Sequence, residues 1–329
     1  MTSHRAGALI AASLALALFA LAAARDAADR WIDRTDLPVT LTETSAEIRD
    51  RSGALLRAYP VGDGLWRLAP GPVDPGFLAM LIRYEDKRFA THAGVDPRAL
   101  LRAAGQALWN GGVVSGGSTL TMQVARLIED GPTGRWAGKL RQIRVALALE
   151  RRLDKDRILD LYLTHAPYGG NLEGIRAASL AWFGKEPARL TPAQAALLVA
   201  LPQAPEARRP DRHPETARAA RDRVLARMER QGVLPEPEIA AALRDPLPRA
   251  QRPFPQLAAH LADRALAESP EAQRIDLTLD AALQARLEPL VARAARQAGP
   301  RVSAAMIVAD HQTGEILASV GSAGYADAR

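Results

Sequence analysis

Much of the chain alternates apolar and polar residues with the spacing of an amphipathic helix, and residues 77–96 show this spacing clearly. On a helix of about 100° per residue, one face of this stretch collects the apolar side chains Leu78, Leu81, Ile82 and Phe89. Glu85 lies in the middle of that face, and Asp86 lies on its flank. A carboxylate that loses hydration among apolar side chains is suited to act as a general base. The alternative is a structural glutamate that caps the helix or pairs with a neighbouring arginine.

The same periodicity predicts a mainly α-helical protein. Helices are expected after Asp96-Pro97, over STLTMQVARLI with Ser118 as its N-cap, and over Arg135–Leu153, Lys155–Thr164, Gly174–Phe183, Thr191–Leu201, Pro214–Gln231 and Ala281–Ala298. On the helix that starts at Arg135, the stripe predicted to be buried consists of Trp136, Leu140, Ile143 and Leu147, and Glu150 continues it.

A few strands are predicted by alternation with a period of two. Residues Val39–Tyr59 have the pattern of a β-hairpin in which VTLTE and ALLRAY flank a turn ending at Arg51-Ser52-Gly53. The composition then changes at the Pro-rich stretch Pro246–Gln256. Beyond it, IDLTL predicts a strand, and SAAMIVAD and EILASVG predict a second hairpin. This change of pattern indicates that a second, α/β-type domain begins after the Pro-rich stretch.

The amino terminus carries an uncharged apolar run from Ala6 to Ala24. As a helix, these roughly 19 residues would span about 28 Å, close to the ~30 Å hydrocarbon core of a bilayer. His4 and Arg5 precede the run and favour an uncleaved single-pass anchor with a cytoplasmic tip and the rest of the chain exported. A cleaved signal peptide is the alternative, since Ala22-Ala23-Ala24 would serve as a cleavage site.

The composition limits which partners and which types of catalysis are expected for this chain. The 329 residues are 48% hydrophobic and 24% charged, which is typical of a folded protein of about two domains. The excess of 43 Lys and Arg over 37 Asp and Glu favours anionic partners such as lipid head groups or pyrophosphates. No nucleic-acid-binding module is recognisable, so nucleic acid is not an expected partner. The lack of cysteine excludes thiolate catalysis and a cysteine-based metal site.

Two further stretches have patterns that fit a phosphate group. Residues 110–117 contain four glycines and lead into the helix predicted at Ser118, an arrangement that presents backbone N–H groups to an anion. Arg135, Lys139 and Gln142 lie along one flank of the next helix and could bind a pyrophosphate. Ordinary helix capping and a solvated helix face are the respective alternatives.

Four motifs then occur in an order that resembles a known family: EDKRFATHAGVD, GGSTLTMQVAR, GKLRQ followed by LERRLDKDRILDLYL, and RDRVLARM. Together they resemble glycosyltransferase family 51, the peptidoglycan glycosyltransferase domain of class A penicillin-binding proteins, and the chain as a whole is similar to the 1C subgroup. The resemblance implies a lysozyme-like, mostly helical domain on the periplasmic, outer face of the plasma (inner) membrane. Such a domain polymerises lipid II into β-1,4 glycan strands, with inversion and release of undecaprenyl pyrophosphate. The expected regions are an anchor (1–30), a small β-hairpin region (31–60), the glycosyltransferase domain (61–245), a Pro-rich linker and helix (246–274), and the incomplete start of a transpeptidase domain (275–329).

The resemblance also implies roles for individual residues. Glu85 would be the general base that takes the proton from the 4-hydroxyl group of the acceptor sugar, and Lys139 would bind the pyrophosphate. The residues expected to contact substrate are Asp86, His92, Ser118, Thr119, Gln123, Arg126, Lys139, Arg141 and Gln142. Gln142 stands where the family usually has a glutamate. A divalent cation, Mg²⁺ or Mn²⁺, often assists the leaving group in this family, but the sequence requires no cofactor and shows no dedicated ligand cage.

Two other functions use the same residues differently. A lysozyme-like hydrolase would cut the glycan with Glu85 as an acid. A non-catalytic, membrane-anchored scaffold would bind glycan or cell-wall synthase partners, and Gln142 is the reason to consider it. The loop before the predicted helix at Ser118, the basic flank around Lys139 and the apolar amino terminus favour the transferase, with lipid II, the growing glycan strand and membrane lipids as partners. No serine in the chain starts a Ser-x-x-Lys motif, so no covalent adduct with a β-lactam is expected at this chain.

Overall fold

The computed structural model of the protein describes residues 2–40, 42–110, 117–129 and 136–325. The helices are α1 (Thr2–Asp33), α2 (Pro75–Glu85), α3 (Pro97–Asn110), α4 (Leu120–Ile128), α5 (Trp136–Arg152), α6 (Lys155–His165), α7 (Ile175–Phe183), α8 (Pro192–Ala200), α9 (Pro214–Arg230), α10 (Glu236–Arg244), α11 (Ala259–Glu268) and α12 (Ala281–Ala298). The strands are β1 (Ala46–Arg49), β2 (Leu55–Tyr59), β3 (Trp66–Arg67), β4 (Leu172–Glu173), β5 (Arg274–Asp276), β6 (Met306–Ala309) and β7 (Ile316–Val320). The contacts divide the chain into a first unit, Met1–Thr40 with Glu85–Tyr162, and a second unit, Leu41–Tyr84 with Leu163–Arg329.

Most of the predicted helices are confirmed, and their ends follow local capping chemistry. The side chain of Thr191 accepts a hydrogen bond from the N–H of Gln194, and the Gln194 side chain accepts one from the N–H of Thr191. This capping box, with Pro192 at the first helical position, starts α8 where the sequence predicts it. In the same way, the side chain of Asp280 accepts the N–H of Leu283 at the start of α12. The sequence analysis missed α10, which buries Ile239 on its inner face.

The second unit contains a three-stranded sheet of order β2–β1–β5, in which β1 pairs with β2 antiparallel and with β5 parallel. Ile48 of β1 and Leu56 of β2 are fully buried in one cluster with Leu279. The predicted amino-terminal hairpin is therefore present, but the prediction of VTLTE as its first strand is wrong. That segment has the alternation of a strand, yet its first residue, Val39, is 78% exposed. β1 begins seven residues after Val39 and places Ile48 in the core.

The segment after the Pro-rich stretch forms the predicted elements with one unexpected pairing. The strand predicted in IDLTL exists as β5, and it joins β1 in the amino-terminal sheet. β6 and β7 form the second predicted hairpin, which is antiparallel. The fully buried side chain of Gln284 on α12 accepts the N–H of Ser319 at 2.8 Å and donates to its carbonyl at 2.9 Å, so α12 is bonded to β7.

A buried arginine joins β1 to α7 within the second unit. Nη1 of Arg176 lies 2.6 and 2.7 Å from the two carboxylate oxygens of Glu47, and its Nε and Nη2 donate to Glu186. The side chains of Arg176 and Glu47 are 4% and 2% exposed. Arg49 also donates to Glu47 at 2.9 Å, so these charged groups, which need partners when they are removed from water, form one cluster of two arginines and two carboxylates.

In the first unit, α5 packs against α4 with a face that the sequence did not predict. The buried residues of α5 are Val145, Ala146, Ala148 and Leu149. Trp136 and Leu140 are 88% and 57% exposed, so the prediction that they are buried is wrong. Periodicity shows that a helix has an apolar stripe, but it does not show what covers that stripe.

The end of α1 is held by arginines of α5. Arg151 pairs with the carboxylates of Asp29 and Asp33, the latter at 2.7 Å. Arg144 donates to the carbonyl of Trp31 at 2.9 Å, and its guanidinium lies 4.9 Å from the centre of that ring. We call these contacts of Arg144 and Arg151 the arginine clamp. The part of α1 from Ala11 to Asp33 is long and apolar enough to cross a membrane.

Candidate functional site

Glu85 is the last residue of α2. The buried residues of that helix are Phe77, Met80 and Leu81, and the chain after Glu85 forms turns. The predicted single helical face that continues to Phe89 is therefore wrong. Glu85 itself is half-buried, and its Oε2 accepts a hydrogen bond of 2.9 Å from Nε2 of Gln123 on α4. This bond fixes the carboxylate next to α4.

Asp86 ends α2 because its side chain enters a buried network. Its Oδ2 accepts the N–H of Leu120 at 2.9 Å and lies 2.8 Å from Nε2 of His92. Nδ1 of His92 accepts the N–H of Gly94, which assigns the ring proton to Nε2, where it is donated to Asp86. The side chains of Asp86 and His92 are only 4% and 5% exposed. This burial does not support the predicted contact of either residue with substrate, and both belong to the network at the end of α2.

Thr119 fixes the start of α4. Its Oγ1 accepts the N–H of Met122 at 3.1 Å and donates to the carbonyl of Gly94 at 2.6 Å. The prediction of Ser118 as N-cap is therefore wrong by one residue, because it is Thr119 that is buried against Gly94. Gly94 has a φ of +91°, and a Cβ at this position would lie 2.6 Å from the carbonyl oxygen of Ala146. Only glycine allows the loop after α2 to approach α5 this closely.

A second buried network supports the same loop. Oε1 of Glu150 accepts hydrogen bonds from Thr121 and from Lys155, both at 2.6 Å. Lys155 also donates to the carbonyl of His92 at 2.7 Å and lies 4.6 Å from the centre of the Phe89 ring. Glu150, Thr121 and Lys155 are not among the site residues predicted from the sequence. All three lie inside the quoted motifs, and this position is the sequence feature that could have identified them.

Lys139 and Arg126, together with Ser118 and Gln142, form what we call the basic corner. Nζ of Lys139 donates to Oγ of Ser118 at 2.7 Å and lies 3.5 Å from Oε1 of Gln142. Burial, followed by the positive charge of Arg126, lowers the pKa of Lys139. Within the described parts of the chain, no carboxylate pairs with Lys139 or Arg126. Two cations held together in this way favour binding of an anion such as a phosphate.

Arg141 does not belong to the basic corner, although the sequence analysis placed it among the substrate contacts. Its guanidinium donates to Glu129 at 2.7 and 2.9 Å and to the carbonyl of Asp36 at 3.2 Å. Its charge is thus already neutralised on another side of α5. Arg135 and residues 111–116 of the predicted glycine-rich loop lie outside the described residues.

The residues of the basic corner do not fit a divalent cation. Mg²⁺ and Mn²⁺ prefer several oxygen ligands, among them carboxylates. The described residues contain no group of three or more His, Asp or Glu side chains that could hold a metal ion. Around Lys139 the oxygen atoms come from the hydroxyl of Ser118 and the amide of Gln142, and both face an ammonium group.

α4 connects the two parts of the site. Gln123 and Arg126 are three residues apart on this helix, so both project from the same side of it. Gln123 bonds to Glu85, and Arg126 lies close enough to Lys139 to lower the lysine pKa. A base and an anion-binding corner on one side of a helix can deprotonate an acceptor hydroxyl and stabilise a leaving phosphate.

Comparison with known proteins identifies the family. The family model described as Transglycosylase matches residues 70–229, which contain Glu85, Gln123 and Lys139. A protein of Cupriavidus necator that is named as a transglycosylase is 34% identical over 177 residues, covering 54% of this chain and 76% of that protein. The chain belongs to the transglycosylase family.

Within the transglycosylase family, the chain is similar to penicillin-binding proteins. It is 44% identical to Penicillin-binding protein 1C of Escherichia coli (strain K12) over 313 residues, 94% of this chain and 40% of that protein. It is 34% identical to Penicillin-binding protein 1B of Vibrio cholerae over 261 residues, 73% of this chain and 34% of that protein. The transglycosylase chain thus spans 40% or less of the length of these two relatives.

Proposed function

We propose that the protein is a peptidoglycan glycosyltransferase that joins lipid II units into β-1,4 glycan strands. The observation that carries the proposal is the geometry of α4, which holds Glu85 through Gln123 and places Arg126 beside Lys139. Membership of the transglycosylase family supports the reaction class. The similarity to Penicillin-binding protein 1C supports peptidoglycan as the product.

In the proposed reaction, Glu85 takes the proton of the 4-hydroxyl group of the acceptor sugar. The hydroxyl oxygen forms a bond to the anomeric carbon of the donor while the bond from that carbon to the pyrophosphate oxygen breaks, so the configuration at this carbon inverts. The undecaprenyl pyrophosphate leaves with the electron pair. Lys139 and Arg126 stabilise the negative charge that grows on this leaving group, and Gln123 keeps the carboxylate of Glu85 in position.

We also propose that the protein is a single-pass protein of the plasma membrane, with its catalytic residues on the periplasmic side. The apolar part of α1 supports the anchor, and His4 and Arg5 before it support a cytoplasmic amino terminus. The first unit exposes large apolar side chains on three helices: Trp31, Leu101, Trp109, Trp136 and Leu140. Exposed tryptophan and leucine side chains suit the lipid interface, from which a lipid-linked substrate would reach the basic corner.

The finer architecture is proposed from the motifs. We propose a lysozyme-like organisation for residues 61–245 and the start of a transpeptidase domain for residues 275–329. The order of the four motifs supports the first proposal. The greater length of the penicillin-binding relatives supports the second.

Polymer formation from purified lipid II by the full chain in detergent tests the proposed function. We expect long glycan products and release of undecaprenyl pyrophosphate. Shortening of preformed glycan strands without polymer formation would indicate a hydrolase. Binding of glycan without either reaction would indicate a scaffold, and each of these two results would overturn the proposal.

A further inference from the structure

A cavity of about 500 Å³ lies in the second unit, between the end of β2 and the Pro-rich stretch. None of the residues assigned to the candidate site lines it. Its size is in the range of cavities that take small organic ligands. Charged, amide and aromatic side chains in its lining include Arg57, Trp66, Asn171, Gln251, Arg252 and Phe254.

The wall of this cavity is positively charged. It contains Arg57 and Arg252, and its lining residues include no Asp or Glu. The carboxylate of Asp263 lies 3.9 Å from Nε of Arg57, but it already accepts hydrogen bonds from the hydroxyl groups of Tyr59 and Tyr325. The guanidinium of Arg57 is therefore only partly neutralised, and the cavity favours an anionic ligand.

Two N–H donors in the wall are buried without an acceptor among the described residues. They are Nη1 of Arg57 and Nε2 of Gln251. A buried donor without an acceptor costs free energy, so a ligand atom that accepts from these groups is favoured. Both residues line the cavity, and binding at this site requires their side chains to rotate until these nitrogens reach it. Since both groups are donors and one is cationic, the ligand group that fits them best is a carboxylate.

The remaining wall fits a peptide. Trp66 and Phe254 stack with their ring centres 4.4 Å apart, and three prolines line the cavity beside them. These groups form an apolar surface for small side chains. The side-chain amides of Asn171 and Gln251 can form hydrogen bonds with peptide groups. We propose that this cavity binds the carboxyl-terminal end of a short peptide, with Arg57 and Gln251 donating to its carboxylate.

Isothermal titration calorimetry on the full chain tests the proposal, with N-acetyl-trialanine as the probe and its carboxamide as the matched control. The acid should bind at least about tenfold more tightly than the amide. Only the acid carries a carboxylate, which can accept a hydrogen bond from the cationic guanidinium of Arg57. Equal affinity for acid and amide, or no binding of the acid up to about 10 mM, would overturn the proposal.

Two variants that each add one negative charge locate the site. Gln251→Glu should weaken binding of the acid by about tenfold or more, because it replaces a donor by a carboxylate. Gln312→Glu adds the same charge at an exposed position between β6 and β7 and should leave the affinity unchanged. An equal loss in both variants would place the peptide elsewhere. If Gln251→Glu does not fold, the comparison of acid and amide on the unchanged chain still decides the proposal.

A further titration distinguishes two sources of the same ligand chemistry. A free peptide and the peptide stem of a glycan strand both end in a carboxylate. Tighter binding of a disaccharide-linked tripeptide than of the tripeptide alone would identify glycan stems as the source, and equal affinity would identify free peptide. Both results support the cavity as a peptide site. Neither depends on glycosyltransferase activity, because polymer formation is not measured.

Discussion

The side-chain amide of Gln123 donates a hydrogen bond of 2.9 Å to the carboxylate of Glu85. Glu85 is the last residue of its helix, and this hydrogen bond joins its side chain to α4. The buried contacts of Asp86 with His92 and Leu120 hold the turn that follows Glu85. Both the proposed base and the residue that follows it are thus bonded to α4.

Glu85→Gln should remove glycan polymerisation while the protein remains folded. An amide cannot take the proton of the acceptor hydroxyl, and general-base catalysis contributes about 10²–10⁴-fold to a rate. The initial rate of lipid II polymerisation measures the loss, and circular dichroism checks the fold. Near-normal turnover in this variant would show that Glu85 is not the base.

Gln123→Leu should lower kcat with little change in KM, because the variant loses the hydrogen bond that holds the proposed base, Glu85. A hydrogen bond to a charged group contributes about 1.5–3 kcal/mol, which corresponds to a decrease of roughly 10- to 150-fold. Steady-state kinetics of the variant and of Gln312→Leu, an exposed control, measure the effect. A rise in KM with an unchanged kcat would instead indicate that Gln123 binds the substrate.

The activity of the protein should decrease at alkaline pH as Lys139 loses its proton. Burial and the charge of Arg126 lower the pKa of Lys139, so this decrease should begin below the ordinary lysine value of about 10.4. Lys139→Arg should move the decrease to higher pH, because a guanidinium stays protonated there. The pH profile of kcat/KM for both proteins tests this prediction. Identical alkaline limbs would assign the decrease to another group.

Gln142→Glu should make polymerisation more dependent on added divalent cation. The amide oxygen of Gln142 lies 3.5 Å from Nζ of Lys139, and a carboxylate there would repel the leaving pyrophosphate unless a cation lay between them. Titration of Mg²⁺ against the polymerisation rate compares the two forms. Gln142→Leu is the control that removes the amide without adding charge. Superimposable titration curves for the original chain and Gln142→Glu would mean that Gln142 has no part in the chemistry.

Arg176→Met should lower the free energy of unfolding by about 3–5 kcal/mol, because it leaves the buried carboxylate of Glu47 with only the more exposed Arg49 as a charged partner. The double variant Arg176→Met with Glu47→Gln should lose less, since no buried charge remains. Urea denaturation measures both. Arg51→Met removes an exposed ion pair with Glu315 and should have an effect of at most about 1 kcal/mol. Equal losses in Arg176→Met and Arg51→Met would contradict this view of the core.

The elements that the sequence predicts well are those whose ends are determined by nearby residues. α8 starts at the Thr191 capping box, and α12 runs from Ala281 to Ala298 as predicted, with Asp280 as its N-cap. Capping side chains and prolines act over a few residues, so their effect can be inferred without knowledge of the fold.

The predictions that were wrong depended on contacts between distant residues. The helix after Phe77 stops at Glu85 because Asp86 bonds to Leu120, 34 residues away. Lys139 lies beside Gln142, as predicted, but the sequence did not predict that Ser118 and Arg126 from the α4 region lie beside it too. Neither contact follows from helical periodicity, which describes one element at a time.

In the proposed membrane setting, the arginine clamp also determines how the proposed catalytic residues face the membrane. α1 continues without a break to Asp33. Arg144 and Arg151 bind its last turns, and both lie on α5, the helix that carries Lys139. The length of α1 therefore sets the distance of α5 from the lipid surface, and the helical rotation of α1 sets the direction in which α5 faces. One residue inserted between Ala24 and Asp29 would raise the clamp by about 1.5 Å and turn it by about 100°, carrying Lys139 away from the pyrophosphate of a lipid held in the bilayer.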